Sequence, residues 1–349
     1  MKTGKPKVLL ISPTWVDIHN DIHRQLVSMG CEVSFIPEYS FPEDSYRIKG
    51  KKHVVEKSVE ESMKSDYWNQ HLVKENAKFD FLIVIDGQGI NEVLFNTLKS
   101  NNPNIYCVNY LFDTTHSVYH FEKNFKNFNR VFTFDRQESE RYGIELLPIY
   151  WTPINSDESK PKLDVFGFGS YSKDRFRLYK FIEEIAKGLG KKTFIKTHHN
   201  QIKNKLLHIV KNLVRSITGK ETLISISEYT SDLIVHQLVP SSEFRNLIQS
   251  SDVVIDSKVL DQDGLTARFM WALGAEKKII TTNDAVKSYP FYSKRQILVL
   301  DENKPFHNQE EAVREFLSSN FEMNDEYRDM IKGFRIDNWI KTLLPNVPA

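Results

Sequence analysis

Short apolar, β-rich runs alternate with helix-forming stretches along this chain, and the alternation runs through two successive sets. Parallel strands need a crossover between them, usually a helix, so the pattern predicts α/β layering around parallel sheets. In the first set, strands are expected at Val8–Ile11, Val33–Ile36, Phe81–Ile85, Ile105–Asn109, Val131–Phe134 and Leu146–Ile149, with a helix over His19–Met29. Gly30 stands where a helix end wants a residue that tolerates positive φ. The polar, turn-rich stretch Tyr39–His53 reads as an excursion loop at the carboxyl end of the second strand, the side on which open α/β sheets hold ligands.

Thr152–Lys162, TPINSDESKPK, has two prolines, two serines and little apolar content, and reads as the linker. Beyond it the pattern restarts with strand Leu163–Phe168, helix Arg175–Leu189, strand Thr193–Lys196, helix Ile202–Ile217 and a strand near Leu233–Leu238. Helix Ser242–Ser250, strand Val253–Ile255, helix Thr266–Leu273 and strands Lys278–Thr282 and Gln296–Leu300 follow. The expected architecture is two facing Rossmann-like domains, 1–155 and 156–320, with a ligand cleft between them. An amphipathic helix, Asn324–Leu344, lies within the remaining 321–349 and is expected to pack back on the first domain.

A chain of 349 residues has room for two such domains. Lys plus Arg, 47, nearly cancels Asp plus Glu, 46, so no overall field is available to hold a nucleic-acid backbone. Cys31 and Cys107 form no metal-spaced cluster and read as reduced core thiols. The apolar run Val8–Ile11 is far shorter than a signal-peptide core, and no run approaches the ~18 residues of a membrane span. The expected location is cytoplasmic, with peripheral contact at the inner face of the cytoplasmic membrane left open.

The chemistry concentrates in two strand-to-helix turns. In Asp252–Asn283, a buried strand is followed by a loop, Gly264 and a helix beginning near Thr266. The free N–H groups and positive end of that helix make an anion site, to which Arg268 could add bidentate contacts. In Asp164–Arg177, DVFGFGSYSKDRFR, the residues Gly167, Gly169, Ser170 and Arg175 make a second phosphate-friendly turn. It lacks the third glycine of a dinucleotide fingerprint, so an NAD-type site is rejected. Asp261, Gln262 and Asp263 spell a DxD triplet, but acids there oppose a phosphate site and no metal role is adopted. In the first domain Asp17, His19, Asp86, Asp113 and His116 collect at strand ends. Asp113 and His116 are the strongest pair of candidate general bases, and DGQG, Asp86–Gly89, is a candidate cleft loop.

The segments NYLFDTTHS, FNRVFTFDRQESERYGIELLPIYW, VFGFGSYSKDRF and, most specifically, QDGLTARFMWALGAEKKIITTN resemble bacterial GT-B glycosyltransferases of the lipopolysaccharide and capsule type, relatives of the spore-maturation-type enzymes. The resemblance implies a GT-B fold and a metal-independent glycosyltransferase, hexosyl- or related. Such an enzyme moves a sugar from a nucleotide-sugar donor, held by the C-terminal domain, to a carbohydrate or lipid-linked surface glycan on the N-terminal domain. By motif position, Gln262, Gly264, Leu265, Thr266 and Arg268 would line the donor phosphates, with Gly169, Ser170 and Arg175 facing them. Relatives often place a ribose-binding glutamate where this chain has Trp271. Two alternatives stand beside the transferase: a GT-B-fold nucleotide-sugar epimerase, and a non-catalytic glycan- or nucleotide-binding protein.

Local charge departs from the neutral total. Ile185–Lys220 contains no acidic residue and nine basic ones: Lys187, Lys191, Lys192, Lys196, Lys203, Lys205, Lys211, Arg215 and Lys220. Ile202, Leu206, Ile209, Val210, Leu213 and Ile217 recur at helical spacing among them. This basic amphipathic helix is read as a core-facing apolar stripe with solvated lysines or as a face that rests on anionic lipid; RNA binding ranks third, since aromatic residues are almost absent from it.

Overall fold

A computed structural model describes residues 4–14, 17–39, 57–73, 78–114, 121–154, 162–219, 223–259 and 262–344. The chain divides into two compact units: Met1–Thr152 with Leu260–Gly264 and Gly333–Ala349, and Pro153–Val259 with Leu265–Lys332.

The first unit carries strands β1 (Lys7–Ser12), β2 (Glu32–Pro37), β3 (Phe81–Ile85), β4 (Tyr106–Leu111), β5 (Arg130–Thr133) and β6 (Glu145–Leu146). They form one parallel sheet in the order β2-β1-β3-β4-β5-β6. Helices α1 (Ile18–Ser28), α2 (Lys57–Val73), α3 (Glu92–Asn101) and α4 (Arg136–Tyr142) lie between strands in the chain. Strands β1, β3 and β4 are buried along nearly their whole length, as runs such as VLLI and FLIVI require of a sheet covered on both faces. Leu9, Val84, Trp68, Leu94 and Phe95 are among the residues of one core cluster.

The second unit repeats the layout with β7 (Leu163–Ser170), β8 (Thr193–His198), β9 (Ile234–Val235), β10 (Ser251–Ile255), β11 (Lys278–Thr281) and β12 (Ile297–Val299). Its helices are α5 (Lys173–Gly188), α6 (Lys205–Ile217), α7 (Ile226–Tyr229), α8 (Ser241–Gln249), α9 (Ala267–Gly274), α10 (Glu310–Ser318) and α11 (Asp325–Lys332). The strand order is β9-β8-β7-β10-β11-β12, again all parallel. Counted from the unit's first strand this is the doubly wound order 3-2-1-4-5-6, and the chain reverses direction across the sheet between β7 and β10.

Three elements differ from the sequence expectation. The single helix Asn324–Leu344 is two helices, α11 and α12 (Ile336–Leu343), separated at Gly333–Arg335. There Trp151 donates its N–H to the Phe334 carbonyl and accepts from Ile336 N–H, so a tertiary bridge replaces the helical ladder. Helix α12 lies in the first unit, where Trp339 is fully buried with Tyr110 and Tyr150 at ring separations of 4.7 and 4.9 Å. The strand near Leu233–Leu238 shrinks to β9, and Leu146–Ile149 to β6, because only their first residues find a neighbouring strand. Helices α5 and α6 begin at the caps Ser172 and Asn204, whose side chains accept from Arg175 N–H and Leu207 N–H. Cys31 and Cys107 are free and buried. Among the described residues no helix is long and apolar enough to cross a membrane.

Candidate functional site

The β7/β10 switch point of the second unit gathers several of the residues picked out by sequence. Strand β7 ends in Gly169 and Ser170; β10 is followed directly by Asp256 and Ser257. Arg175, in the first turn of α5, reaches across both strand ends. Its Nε donates to Ser257 Oγ at 2.8 Å and its Nη1 to the Ser170 carbonyl. Gly169 permits this: a Cβ there would stand 3.1 Å from the guanidinium carbon. Arg175 is half-buried, and its Nη2 has no partner among the described residues. Loss of solvation and the positive charge of Arg268 both press its pKa below the ordinary arginine value. An anion beside Arg175 would relieve that penalty.

Beneath it lies a buried ion pair. Asp256 is 0% exposed and Arg268 8%. Arg268 Nε and Nη2 both meet Asp256 Oδ1 at 3.0 Å, while Nη1 donates to the Phe168 carbonyl and to Tyr179 Oη. Asp256 also accepts from the hydroxyls of Thr266 (2.8 Å) and Thr281 (3.3 Å). All three Arg268 nitrogens are thus engaged inside the unit, so in this arrangement Arg268 is a positioning residue rather than a ligand contact. What it positions is the start of α9. Thr266 caps that helix by accepting from Phe269 N–H, and the N–H groups of Ala267 and Arg268 have no acceptor among the described residues. Two free N–H groups at the positive end of a helix, with the Arg175 guanidinium, are the means to bind a phosphate.

Leu265 is buried. Gln262 and Gly264 belong to the first unit, where Gln262 donates to Thr114 Oγ1 at 3.4 Å. The N–H groups of Asp263 and Gly264 both donate to Asp135 Oδ2, at 2.7 and 2.9 Å, while Asp135 Oδ1 caps α4. A Cβ at Gly264 would be driven into the Phe134 ring. The glycine therefore allows close packing against an aromatic side chain, where the sequence suggested close approach to a ligand. Gly264→Ala is expected to destabilise the protein by about 1–3 kcal/mol in thermal unfolding without ligand; unchanged stability would show that this loop has room to move. Asp261 lies outside the described residues, and Asp263 accepts from Gln137 Nε2 at 2.6 Å. Trp271 is buried with the Arg245 guanidinium 4.5 Å from its ring centre and Phe244 against its side.

In the first unit three carboxylates gather after the carboxyl ends of β2, β3 and β4: Glu38, Asp86 and Asp113. Asp86 is buried with φ +60°, a conformation that non-glycine residues enter only when the surroundings hold them there. Its Oδ1 accepts from Phe112 N–H (2.7 Å) and Asp113 N–H (3.2 Å). Burial, followed by the Asp113 charge, pushes its pKa up to about 7. Glu38 accepts from Gly89 N–H at 2.6 Å, and burial together with the Asp86 carboxylate pushes it up to about 8. Burial also raises Asp113. Carboxyl groups with pKa values near neutrality can exchange protons at working pH. Glu38 and Asp256 were missed in the sequence, although each directly follows an apolar strand. Of the other candidates, Asp17 accepts from Asn20, and His19 stacks on Phe35 at 5.0 Å. His116 lies outside the described residues.

No family model and no curated protein matches the chain. Solved structures do resemble it. A UDP-forming α,α-trehalose-phosphate synthase from Burkholderia xenovorans is similar over 99% of this chain and 100% of its own, at 10% identity and a TM-score of 0.57. The N-terminal domain of a trehalose-6-phosphate phosphatase from Candida albicans is similar over 97% of this chain and 95% of its own, also at 10% identity and 0.57. The lipopolysaccharide outer core galactosyltransferase WaaB, in its apo form, is similar over 96% of this chain and 98% of its own, at 11% identity and 0.51. At such identities the likeness speaks to architecture. With two six-stranded parallel sheets flanked by helices, the chain has the GT-B fold of paired Rossmann-like units.

Proposed function

We propose that this protein is a glycosyltransferase that takes a sugar from a nucleotide-activated donor and passes it to a carbohydrate acceptor. The observation that carries the reading is Arg175 at the β7/β10 switch point, half-buried, its Nη2 without a partner among the described residues and its Nε on Ser257, next in the chain to the Asp256 that holds Thr266 at the start of α9. Donor phosphates placed there would meet Arg175 and the N–H groups of Ala267 and Arg268. These groups would stabilise the charge that grows on the departing phosphate as the glycosidic bond breaks. Gly169 and Ser170 would form the adjoining wall. Thr266, Arg268 and Asp256 hold the helix start in place, and Leu265, just before it, is buried.

In this reading, for transfer with inversion of configuration, Asp113 takes the proton of the acceptor hydroxyl, with His116 as the other candidate base and Asp86 fixing the backbone at Asp113; transfer with retention assigns no base. The transfer needs no divalent metal. The acceptor is a bacterial surface glycan of the lipopolysaccharide or capsule kind, built on the cytoplasmic side of the membrane, and its lipid-linked precursors are the substrates to test first.

A thermal-shift screen against UDP, GDP, CMP and ADP, with and without attached sugars, tests the donor site. One nucleotide class is expected to stabilise the fold. Arg175→Ala should weaken its binding about ten- to hundredfold, the loss of a charge-assisted contact, while costing only about 1–2 kcal/mol of ligand-free stability for its bonds to Ser257 and Ser170. Equal affinity in the variant, or no stabilisation by any nucleotide or nucleotide sugar, would overturn the site. Isomerisation of the donor without acceptor would instead identify an epimerase. Donor binding without turnover on any lipid-linked glycan would identify a binding protein.

A further inference from the structure

Helix α6 is mounted with its polar side against the protein. Its residues Leu206, Leu207, Ile209, Val210, Leu213, Val214 and Ile217 are all exposed, reaching 73% at Leu206 and 77% at Ile217. At about 100° per residue they fill one arc of roughly 160°. The opposite side holds the helix. His208 Nε2 bonds the Ile224 carbonyl at 2.7 Å, and Asn212 accepts from Leu223 N–H at 2.6 Å and donates to the Ile224 carbonyl at 3.0 Å. His208, Asn212 and Arg215, at i, i+4 and i+7, are the partly covered positions, and no residue of α6 is buried. Amphipathic helices of water-soluble folds turn their apolar stripe to the core; this one is inverted. The core-facing reading of the stripe is thereby corrected.

We infer that α6 is a docking face for an anionic lipid bilayer. Charge selects this occupant. Lys205 and Lys211 are exposed and flank the two edges of the apolar arc, each about 40° beyond it, where their stems can lie along acyl chains while the ammonium groups reach phosphate. Lys203 precedes the helix, and no acidic residue occurs between Ile185 and Lys220. A second copy of the chain on this face would set basic edge against basic edge. One face of a helix of roughly 20 Å is also small for a stable protein interface. A bilayer carrying negative headgroups satisfies both the apolar arc and its basic borders. This inference stands on α6 alone and is independent of the nucleotide site.

Co-sedimentation of the full chain with phosphatidylcholine vesicles, and with vesicles of phosphatidylcholine and phosphatidylglycerol at about 70:30, tests it. The parent is expected to pellet with the anionic vesicles and much less with the neutral ones. Replacing Leu206, Leu213 and Ile217 together by Gln should lower partitioning about tenfold or more, at an unchanged melting temperature, because none of the three is buried. The Lys205→Ala, Lys211→Ala pair should lower binding to anionic vesicles severalfold and erase the preference for them. Absence of pelleting at every lipid concentration, or undiminished binding by the Gln variant, would overturn the inference. So would a parent oligomer that the Gln variant dissolves and that never binds vesicles, for then a second copy covers the helix.

Discussion

Arg268→Met is expected to cost about 3–5 kcal/mol of stability, measured by urea unfolding without ligand. The change leaves Asp256, which is 0% exposed, with only the Thr266 and Thr281 hydroxyls as side-chain partners among the described residues. It also removes the donors to the Phe168 carbonyl and Tyr179 Oη, which tie β7 and α5 to this centre. A buried pair need not stabilise a fold relative to apolar residues, but removing one member strands the other charge. The Asp256→Asn, Arg268→Met double variant should therefore lose less than Arg268→Met alone, since a neutral amide has no charge to strand. A single-variant cost below about 1 kcal/mol would show that the pair does not hold this end of the sheet. Nucleotide affinity should fall as well, because the start of α9 is anchored through Thr266 to Asp256. The two arginines thus separate by readout: Arg268→Met lowers stability and affinity together, whereas Arg175→Ala lowers affinity at a much smaller cost in stability.

Asp86→Asn is expected to stabilise the protein at pH 8 and to change little at pH 4. The sign follows from proton counting. In the unfolded chain Asp86 ionises near the ordinary aspartate value, about 3.9. In the folded chain burial and Asp113 hold its proton up to about 7. Between these values the unfolded state binds fewer protons, so stability falls as pH rises through this window and levels off above about 7. The gap sets a ceiling of about 4 kcal/mol on the loss, and relaxation around the ionised group would reduce it. Asparagine cannot ionise, yet its Oδ1 can still accept from Phe112 and Asp113 N–H. Glu38, pushed up to about 8, should retain a similar decline in the variant, so the pH slope should shrink without vanishing. Identical pH–stability curves for parent and variant would show that Asp86 ionises normally in the folded protein.

How far the sequence reaches can be seen residue by residue. The β7 turn was legible because Gly169, Ser170 and Arg175 sit within seven residues of one another, and the structure brings them to one strand end. The α9 turn was legible as a cap and helix start, but the partners of its residues were not. Arg268 pairs with a carboxylate twelve positions earlier and a carbonyl one hundred earlier; Gly264 gives its N–H to Asp135, 129 positions away. No local pattern distinguishes an arginine that meets a phosphate from one that meets a buried aspartate, since both place a guanidinium in the first turn of a helix. Glu38 and Asp256 escaped notice because a single acid after a strand is ordinary until its neighbours are known.

By itself the sequence determined the layered α/β architecture and the position of most strands, because burial on both faces of a parallel sheet writes continuous apolar runs into the chain. It also determined that α6 is amphipathic and basic. Only the tertiary structure decided which way that helix faces, through the His208 and Asn212 bonds to residues 223 and 224. It decided too that Arg268 is an internal anchor while Arg175 keeps an open edge, and that three carboxyl groups from separate strand ends share one neighbourhood. Periodicity is a local property, set by backbone geometry over a few turns. Pairing, burial and the pKa values that follow from them depend on residues distant in the chain, and are fixed only when the sheet brings its strand ends together.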